Sequence, residues 1–225
     1  MLEEKESLRD FVRIPTNVLC QLTDIENERN VYIHPNPLAR IIFWQRLICA
    51  HKILKKHTVK VSNVIDFGGG SGAFLPSLKN LFTEVSVLDL DLEDARRIAT
   101  YYRLTNIKFF EQDMNSFATD ILYDVVVATD VFEHFADLNE PFQFLEKCLR
   151  RGGLLLLTLP TENILYRFGR VLINKSKPLD HYHAARDLVY FYCNNGYTLQ
   201  EHRYIPAIAL FPIPLFWVGL LKKDT

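Results

Sequence analysis

The segment Val64-Ile65-Asp66-Phe67-Gly68-Gly69-Gly70-Ser71-Gly72 carries the strongest chemical signal in the chain. An apolar run ends in a carboxylate, and a turn with glycines at alternate positions leads into a helical stretch beginning near Ala73. Glycines in such a turn let the backbone bend tightly and approach a ligand without interference from a Cβ. Asp66 would stand at the carboxyl end of a strand, where open α/β sheets bind ligands. The next apolar run, Val85-Ser86-Val87-Leu88-Asp89, ends in a second carboxylate, with Leu90 beside it. A carboxylate at that tip can accept hydrogen bonds from both hydroxyls of a ribose. Asp91 is close enough for the same task, but it suits a helix N-cap or first-turn acid equally well. Gly68-x-Gly70-x-x-Ala73 also satisfies a dinucleotide-binding pattern, so the glycines and Asp89 alone fit two kinds of cofactor.

Three further segments follow in order. In Phe109-Phe110-Glu111-Gln112-Asp113-Met114, Asp113 could accept from an adenine amino group and Met114 could pack on the ring face. Tyr123-Asp124-Val125-Val126-Val127-Ala128-Thr129-Asp130-Val131-Phe132-Glu133-His134-Phe135 is an apolar run whose tip is polar and titratable. Leu149-Arg150-Arg151-Gly152-Gly153 is a Gly-Gly turn entering the apolar run Leu154–Leu157.

These residues need a sheet to position them. Apolar runs at Val61–Phe67, Val85–Leu90, Ile107–Phe110, Tyr123–Thr129 and Leu154–Leu159 alternate with amphipathic stretches at Phe74–Phe82, Glu93–Tyr102 and Pro141–Leu149. Short, nearly all-apolar strands separated by helices are what a parallel sheet covered on both faces requires. Asp187–Asn195 reads as a helix ending near Gly196, and Thr198–Ile205 and Leu215–Leu221 as two strands joined by a loop, hence antiparallel. The expected sheet is therefore five parallel strands plus a terminal antiparallel pair. The first sixty residues read as helical, with Pro37 in a first turn and Leu38, Ile41, Ile42, Leu47, Ile48, Ile53 and Leu54 on an apolar face. Residues 1–60 are read as a helical cap, and 61–225 as the main domain with a lid segment at about 161–187.

The ordered set D-F-G-G-G-S-G, V-L-D, F-x-Q-D-M, Y-D-V-V-V-x-x-x-V-F-E-H-F and L-x-R-G-G-L-L-L-L resembles the class I S-adenosylmethionine-dependent methyltransferases. It is most similar to the small-molecule branch that includes ubiquinone-biosynthesis O-methyltransferases, and the likeness covers roughly residues 60 to 160. The resemblance implies a doubly wound α/β fold, a seven-stranded, mostly parallel sheet with the last strand antiparallel. It implies S-adenosylmethionine as cofactor and S-adenosylhomocysteine as product. Asp66, Gly68 and Gly70 would then line the methionine half, Asp89 and Leu90 the ribose side, and Asp113 with Met114 the adenine. Thr129 or Asp130 would close the site near the sulfonium. The stretch His34-Pro35-Asn36-Pro37-Leu38-Ala39-Arg40 is similar to a segment of the ubiquinone branch whose arginine helps hold the cofactor carboxylate. Arg40 is equally a solvated helix charge.

Methyl transfer from a sulfonium is an in-line displacement, so the protein mainly supplies alignment. An oxygen acceptor also calls for a base. His134, with Glu133 beside it, is the first candidate, and the alternative is that this pair only orients a loop. His181-Tyr182-His183 is a second candidate set. No metal site is expected.

Composition bounds the acceptor. A formal net charge of −1 gives no global attraction for nucleic acid. No N/D-P-P-Y/F motif follows the fourth strand, which argues against methylation of DNA bases or protein amide nitrogen. Residues 162–177 combine Ile164, Leu165, Phe168, Val171 and Leu172 with Arg167, Arg170, Lys175 and Lys177. Such a stretch can be a lid over an acceptor pocket or a helix lying on an anionic membrane surface. Either use favours an apolar or aromatic small-molecule acceptor. Tyr204–Leu221 carries no charged residue, but Pro206, Pro212 and Pro214 would break a spanning helix. Cys20, Cys49, Cys148 and Cys193 are widely spaced and read as mostly buried thiols in a reducing, cytoplasmic setting. Two other functions remain to be separated from methyl transfer: a nicotinamide-dependent oxidoreductase, and a non-catalytic methyltransferase-like binding module.

Overall fold

The computed structural model describes residues 10–23, 31–58, 63–161, 182–206 and 214–225. Most of the expected lid, including the basic apolar stretch 162–177 and His181, lies outside the described residues. The chain forms two compact units, Met1–Ala118 and Thr119–Thr225.

The first unit begins with two helices, α1 (Thr16–Leu22) and α2 (Pro37–His57). Asn36 caps α2, its side chain accepting the Leu38 N–H at 2.9 Å, and Pro37 occupies the first turn, where a missing N–H costs nothing. Lys55, Lys56 and His57 fill the last turn, where the helix dipole favours positive charge. The buried face is the expected one at Leu47, Ile53 and Leu54 and departs from it in the first turns. Ala39, Trp44, Leu47, Ala50, Ile53 and Leu54 point inward, while Leu38 and Ile41 are 53% and 43% exposed. Trp44 sets that face: its ring meets Tyr32 at 4.8 Å and Phe11 at 5.9 Å, and an indole offers more area to bury than either aliphatic chain.

Three parallel strands follow, β1 (Asn63–Phe67), β2 (Glu84–Asp89) and β3 (Ile107–Glu111), in the order β3-β2-β1. Helices α3 (Leu75–Leu81) and α4 (Glu93–Tyr101) make the crossovers. Val64, Ile65, Val85, Val87 and Leu88 are fully buried, as the unbroken apolar runs require. Register pairs Asp66 with Val87 and Asp89 with Glu111, so the carboxyl ends of the three strands lie side by side.

The second unit contains β4 (Tyr123–Thr129), α5 (Asn139–Cys148), β5 (Leu149–Pro160), α6 (Ala185–Asn194), β6 (Tyr197–Ile205) and β7 (Phe216–Lys223). Its strand order is β4-β5-β7-β6, with β4 and β5 parallel and β7 antiparallel to both of its neighbours. The terminal antiparallel pair is thus as expected. β5 starts at Leu149 rather than at the expected Leu154, because Leu149 already pairs with Tyr123 and the Arg150 guanidinium bonds the Asp124 carboxylate at 2.5 Å. The Gly152-Gly153 turn is therefore an irregularity within the strand, where the register against β4 shifts.

None of the four cysteines forms a disulfide. Only Cys148 is buried; Cys20 and Cys49 are half-buried and Cys193 is exposed, so the expectation of mostly buried thiols holds for one. Among the described residues no helix is long and apolar enough to cross a membrane.

Candidate cofactor and acceptor sites

In the first unit, the glycine loop and the acid of β2 are tied together. Asp89 Oδ2 accepts the Gly70 N–H at 2.7 Å, and Oδ1 accepts the Leu90 N–H at 2.7 Å. The loop is further held by Gly68 N–H donating to Leu88 O at 2.8 Å and Gly72 N–H to Gly69 O at 2.9 Å. Gly70 and Gly72 take φ of +45° and +69°, the left-handed region that side chains disfavour. At Gly72 a Cβ would stand 2.7 Å from Ala95 Cα, so glycine is also what lets the loop pass against α4.

Asp66 is buried beneath this loop, 2% exposed, and its Oδ1 has no hydrogen-bond partner among the described residues. Burial, and secondarily the Asp89 carboxylate, push its pKa up from 3.8 to about 7. A buried acceptor without a donor is costly to a fold. Its position beneath a glycine loop fits a ligand that brings a donor or a positive charge, as the amino acid end of S-adenosylmethionine would.

Past β3, the Gln112 N–H donates to Asp89 O at 3.0 Å, which brings the Asp113 segment beside the tip of β2. Asp113 Oδ1 caps a short 3-10 turn through the Asn115 N–H at 2.8 Å; Asp113 itself is exposed and Met114 is buried. Leu90, 67% exposed, presents an apolar side chain next to Asp89. Asp91 accepts the Glu93 N–H at 3.1 Å, the capping use of that residue. Asp66, Gly68, Gly70, Asp89, Leu90, Asp113 and Met114 are thus gathered at one end of three strands. Arg40 is placed differently: its Nη1 donates to His34 O at 2.6 Å and Pro35 O at 3.1 Å, bracing the turn before α2.

In the second unit, Thr129 and Asp130 end β4. Asp130 has φ +57°; its N–H donates to Thr158 O, and its Oδ1 accepts the Thr158 hydroxyl, both at 2.9 Å. Thr158 was not among the residues expected at a site. A hydroxyl inside Leu154-Leu155-Leu156-Leu157-Thr158-Leu159 was its signal, because a buried polar group in an apolar strand must have a partner. The next turn, Phe132–His134, buries Glu133 completely and exposes His134. The second candidate set meets this same turn: the Tyr182 N–H donates to Glu133 O at 2.9 Å, and His183 Nε2 lies 3.2 Å from Ala136 O. Among the described residues no group of three or more His, Cys, Asp or Glu side chains is placed to hold a metal ion.

Residues 43–204 match the family described as a methyltransferase domain. The ubiquinone biosynthesis O-methyltransferase of Rickettsia akari (strain Hartford) is 25% identical over 157 residues, 69% of this chain and 59% of that protein. Trans-aconitate 2-methyltransferase of Acidovorax sp. (strain JS42) is 26% identical over 98 residues, 44% of this chain and 38% of that protein. The chain therefore spans less than two thirds of the length of these curated relatives. Among solved structures, an N-methyltransferase of Bradyrhizobium japonicum WM9 in complex with S-adenosyl-L-homocysteine superposes with a TM-score of 0.66 at 19% identity, covering 93% of this chain and 98% of that one. Magnesium protoporphyrin IX methyltransferase of Synechocystis PCC 6803 gives 0.65 at 15% identity, covering 84% and 88%. These likenesses bear out the expected α/β fold with its last strand antiparallel. The chain belongs to the methyltransferase-domain family, and within it to the class I S-adenosylmethionine-dependent methyltransferases that its ordered motifs resemble.

Proposed function

We infer that the protein transfers the methyl group of S-adenosylmethionine to a small-molecule acceptor, at an oxygen of an apolar or aromatic compound. The observation that carries the cofactor half is a buried Asp66 Oδ1, without a hydrogen-bond partner among the described residues, beneath a glycine loop that Asp89 holds in place. When bound, S-adenosylmethionine supplies an activated methyl group, so no metal or redox partner is called for. The chain's own residues then bind and orient. Asp66 holds the ammonium group of the amino acid end, Asp89 with Leu90 the ribose side, and Asp113 with Met114 the adenine. Thr129 or Asp130 is assigned a supporting contact near the sulfonium, while Arg40 braces the turn before α2.

On the acceptor side, His134 is the proposed base. Its ring is exposed, whereas Glu133 is fully buried and its main chain anchors Tyr182, which suits a scaffold. Removal of an acceptor proton by a positioned imidazole is worth about 10² to 10⁴ in rate. His181 stays a second proposed base. The segment 162–177 is assigned to a lid, with contact to an anionic membrane surface as its alternative use. The cytoplasm is the compartment that the four widely spaced cysteines favour. The name of the Rickettsia akari relative, a ubiquinone biosynthesis O-methyltransferase, supports an oxygen as the acceptor atom.

The test is incubation with S-adenosylmethionine carrying a deuterated methyl group and a panel of phenols, carboxylic acids and amines, read by mass spectrometry. Label on a phenolic oxygen supports the proposal. Label only on nitrogen or carbon contradicts the oxygen assignment, and cofactor binding with no label on any acceptor contradicts catalysis.

A further inference from the structure

We propose that the segment Asp10–Arg13, anchored on Ser77, is a positioning strap that sets the glycine loop through α3. The proposal rests on the reading of that loop as the methyl-donor site, and it adds residues outside that loop.

α3 spans only seven residues. A helix of two turns does not hold itself in water, so its position is fixed by what packs on it. Ser77 is fully buried, and its partner is sixty-five residues away: the Val12 N–H donates to Ser77 Oγ at 2.9 Å, and Oγ donates back to Val12 O at 3.3 Å. One turn on, Asn80 Nδ2 donates to Asp10 O at 2.9 Å. Asp10 also meets Lys55 of α2 at 3.5 Å, so the strap bridges the two helices.

The side chain of Phe11 completes the link. Its ring lies 5.9 Å from Trp44, 5.6 Å from His51 and 6.4 Å from Phe74. Phe74 is buried and directly follows the glycine loop at the start of α3. From there the connection is unbroken. The Leu75 N–H donates to Gly72 O at 3.0 Å, the Gly72 N–H to Gly69 O at 2.9 Å, and the Gly70 N–H to Asp89 Oδ2 at 2.7 Å. Arg13 reinforces the near end, its guanidinium 5.9 Å from the Trp44 ring centre. Loosening the strap frees α3 to shift, and a shift at Leu75 is felt at Gly72 and Gly70.

The experiment compares Ser77→Ala, Phe11→Leu, Ser77→Thr and a control in the second unit, Leu145→Ala, at a temperature where all are folded. Affinity for S-adenosylhomocysteine and the hydrogen-exchange rates of the Gly70 and Gly72 amides are both read. Ser77→Ala and Phe11→Leu are expected to weaken S-adenosylhomocysteine binding about tenfold and to speed exchange at both amides by a similar factor. Ser77→Thr, which keeps the hydroxyl, recovers at least part of both, and Leu145→Ala moves neither despite a lower melting temperature. Wild-type affinity and exchange in Ser77→Ala and Phe11→Leu would overturn the strap. Should the wild-type protein itself bind no S-adenosylhomocysteine, the methyl-donor reading fails, and the exchange rates still decide the strap. Should Ser77→Ala not fold, Phe11→Leu carries both readouts.

Discussion

Asp89 holds Gly70: the carboxylate at the tip of β2 accepts the glycine N–H at 2.7 Å through Oδ2. Its other oxygen accepts the Leu90 N–H at the same distance. The residue assigned to the ribose is thus also a brace for the loop assigned to the amino acid end of the donor, and one substitution should disturb both.

Asp89→Ala removes a charged acceptor worth about 1.5–3 kcal/mol per hydrogen bond. S-adenosylhomocysteine affinity should fall at least about tenfold, and on the order of a hundredfold if loop and ribose contacts are lost together. Asp89→Asn retains a carbonyl acceptor and should fall between. Calorimetric titration of the three proteins checks the order.

Asp66 predicts a pH dependence of stability. Its pKa is raised from 3.8 to about 7, chiefly by burial and then by Asp89. Between those values the native state binds more protons than the unfolded chain. This group's contribution is therefore fully present below about pH 4 and is lost as pH rises through about 7. Asp66→Asn should remove that part of the slope. Urea midpoints from about pH 4 to about pH 8 on both proteins test it, and equal slopes would show that Asp66 ionises in the native state as it does in the unfolded chain.

Two of the left-handed glycines, Gly70 and Gly72, should respond unequally to alanine. At Gly70 the nearest atom to an added Cβ is Asp89 Oδ2, at 3.7 Å, so Gly70→Ala meets only backbone strain of about 1–2 kcal/mol. At Gly72 the Cβ would stand 2.7 Å from Ala95 Cα in α4, and backbone must move. Gly72→Ala should be the more destabilising by about 1–3 kcal/mol. Thermal or urea denaturation of the pair reads the difference.

Thr158→Val keeps the shape of a fully buried side chain and deletes the donor to Asp130 Oδ1. A loss of about 1–3 kcal/mol is expected, with the acid of a left-handed residue deprived of one partner. Urea denaturation measures it.

Sequence patterning located most of the frame because the strands are buried. A continuous run such as Tyr123–Thr129 leaves little choice of boundary, and the carboxylates at the ends of β1 and β2 stand out against such runs. The face of α2 was harder to read: Leu38 and Ile41 fall on a helical stripe, but the partner surface that decides burial is built around Trp44 from distant rings. The Asp89–Gly70 bond was not legible, since it depends on the register of β1 against β2. Nor was the Ser77–Val12 contact, because Asp10–Arg13 has no periodicity and its partner lies far along the chain. Glu133 and His134 show the reverse case: adjacency in sequence marked them as one pair, and burial separates the two side chains into different environments.

The Asp66–Gly72 loop and Asp89 are assigned together as the seat of an adenosyl sulfonium cofactor. Calorimetric titration of the wild-type chain with S-adenosylhomocysteine and, separately, with NAD decides that assignment. Saturable binding of S-adenosylhomocysteine with no heat from NAD is the predicted result. Tight binding of NAD, with none of S-adenosylmethionine or its demethylated product, would contradict it.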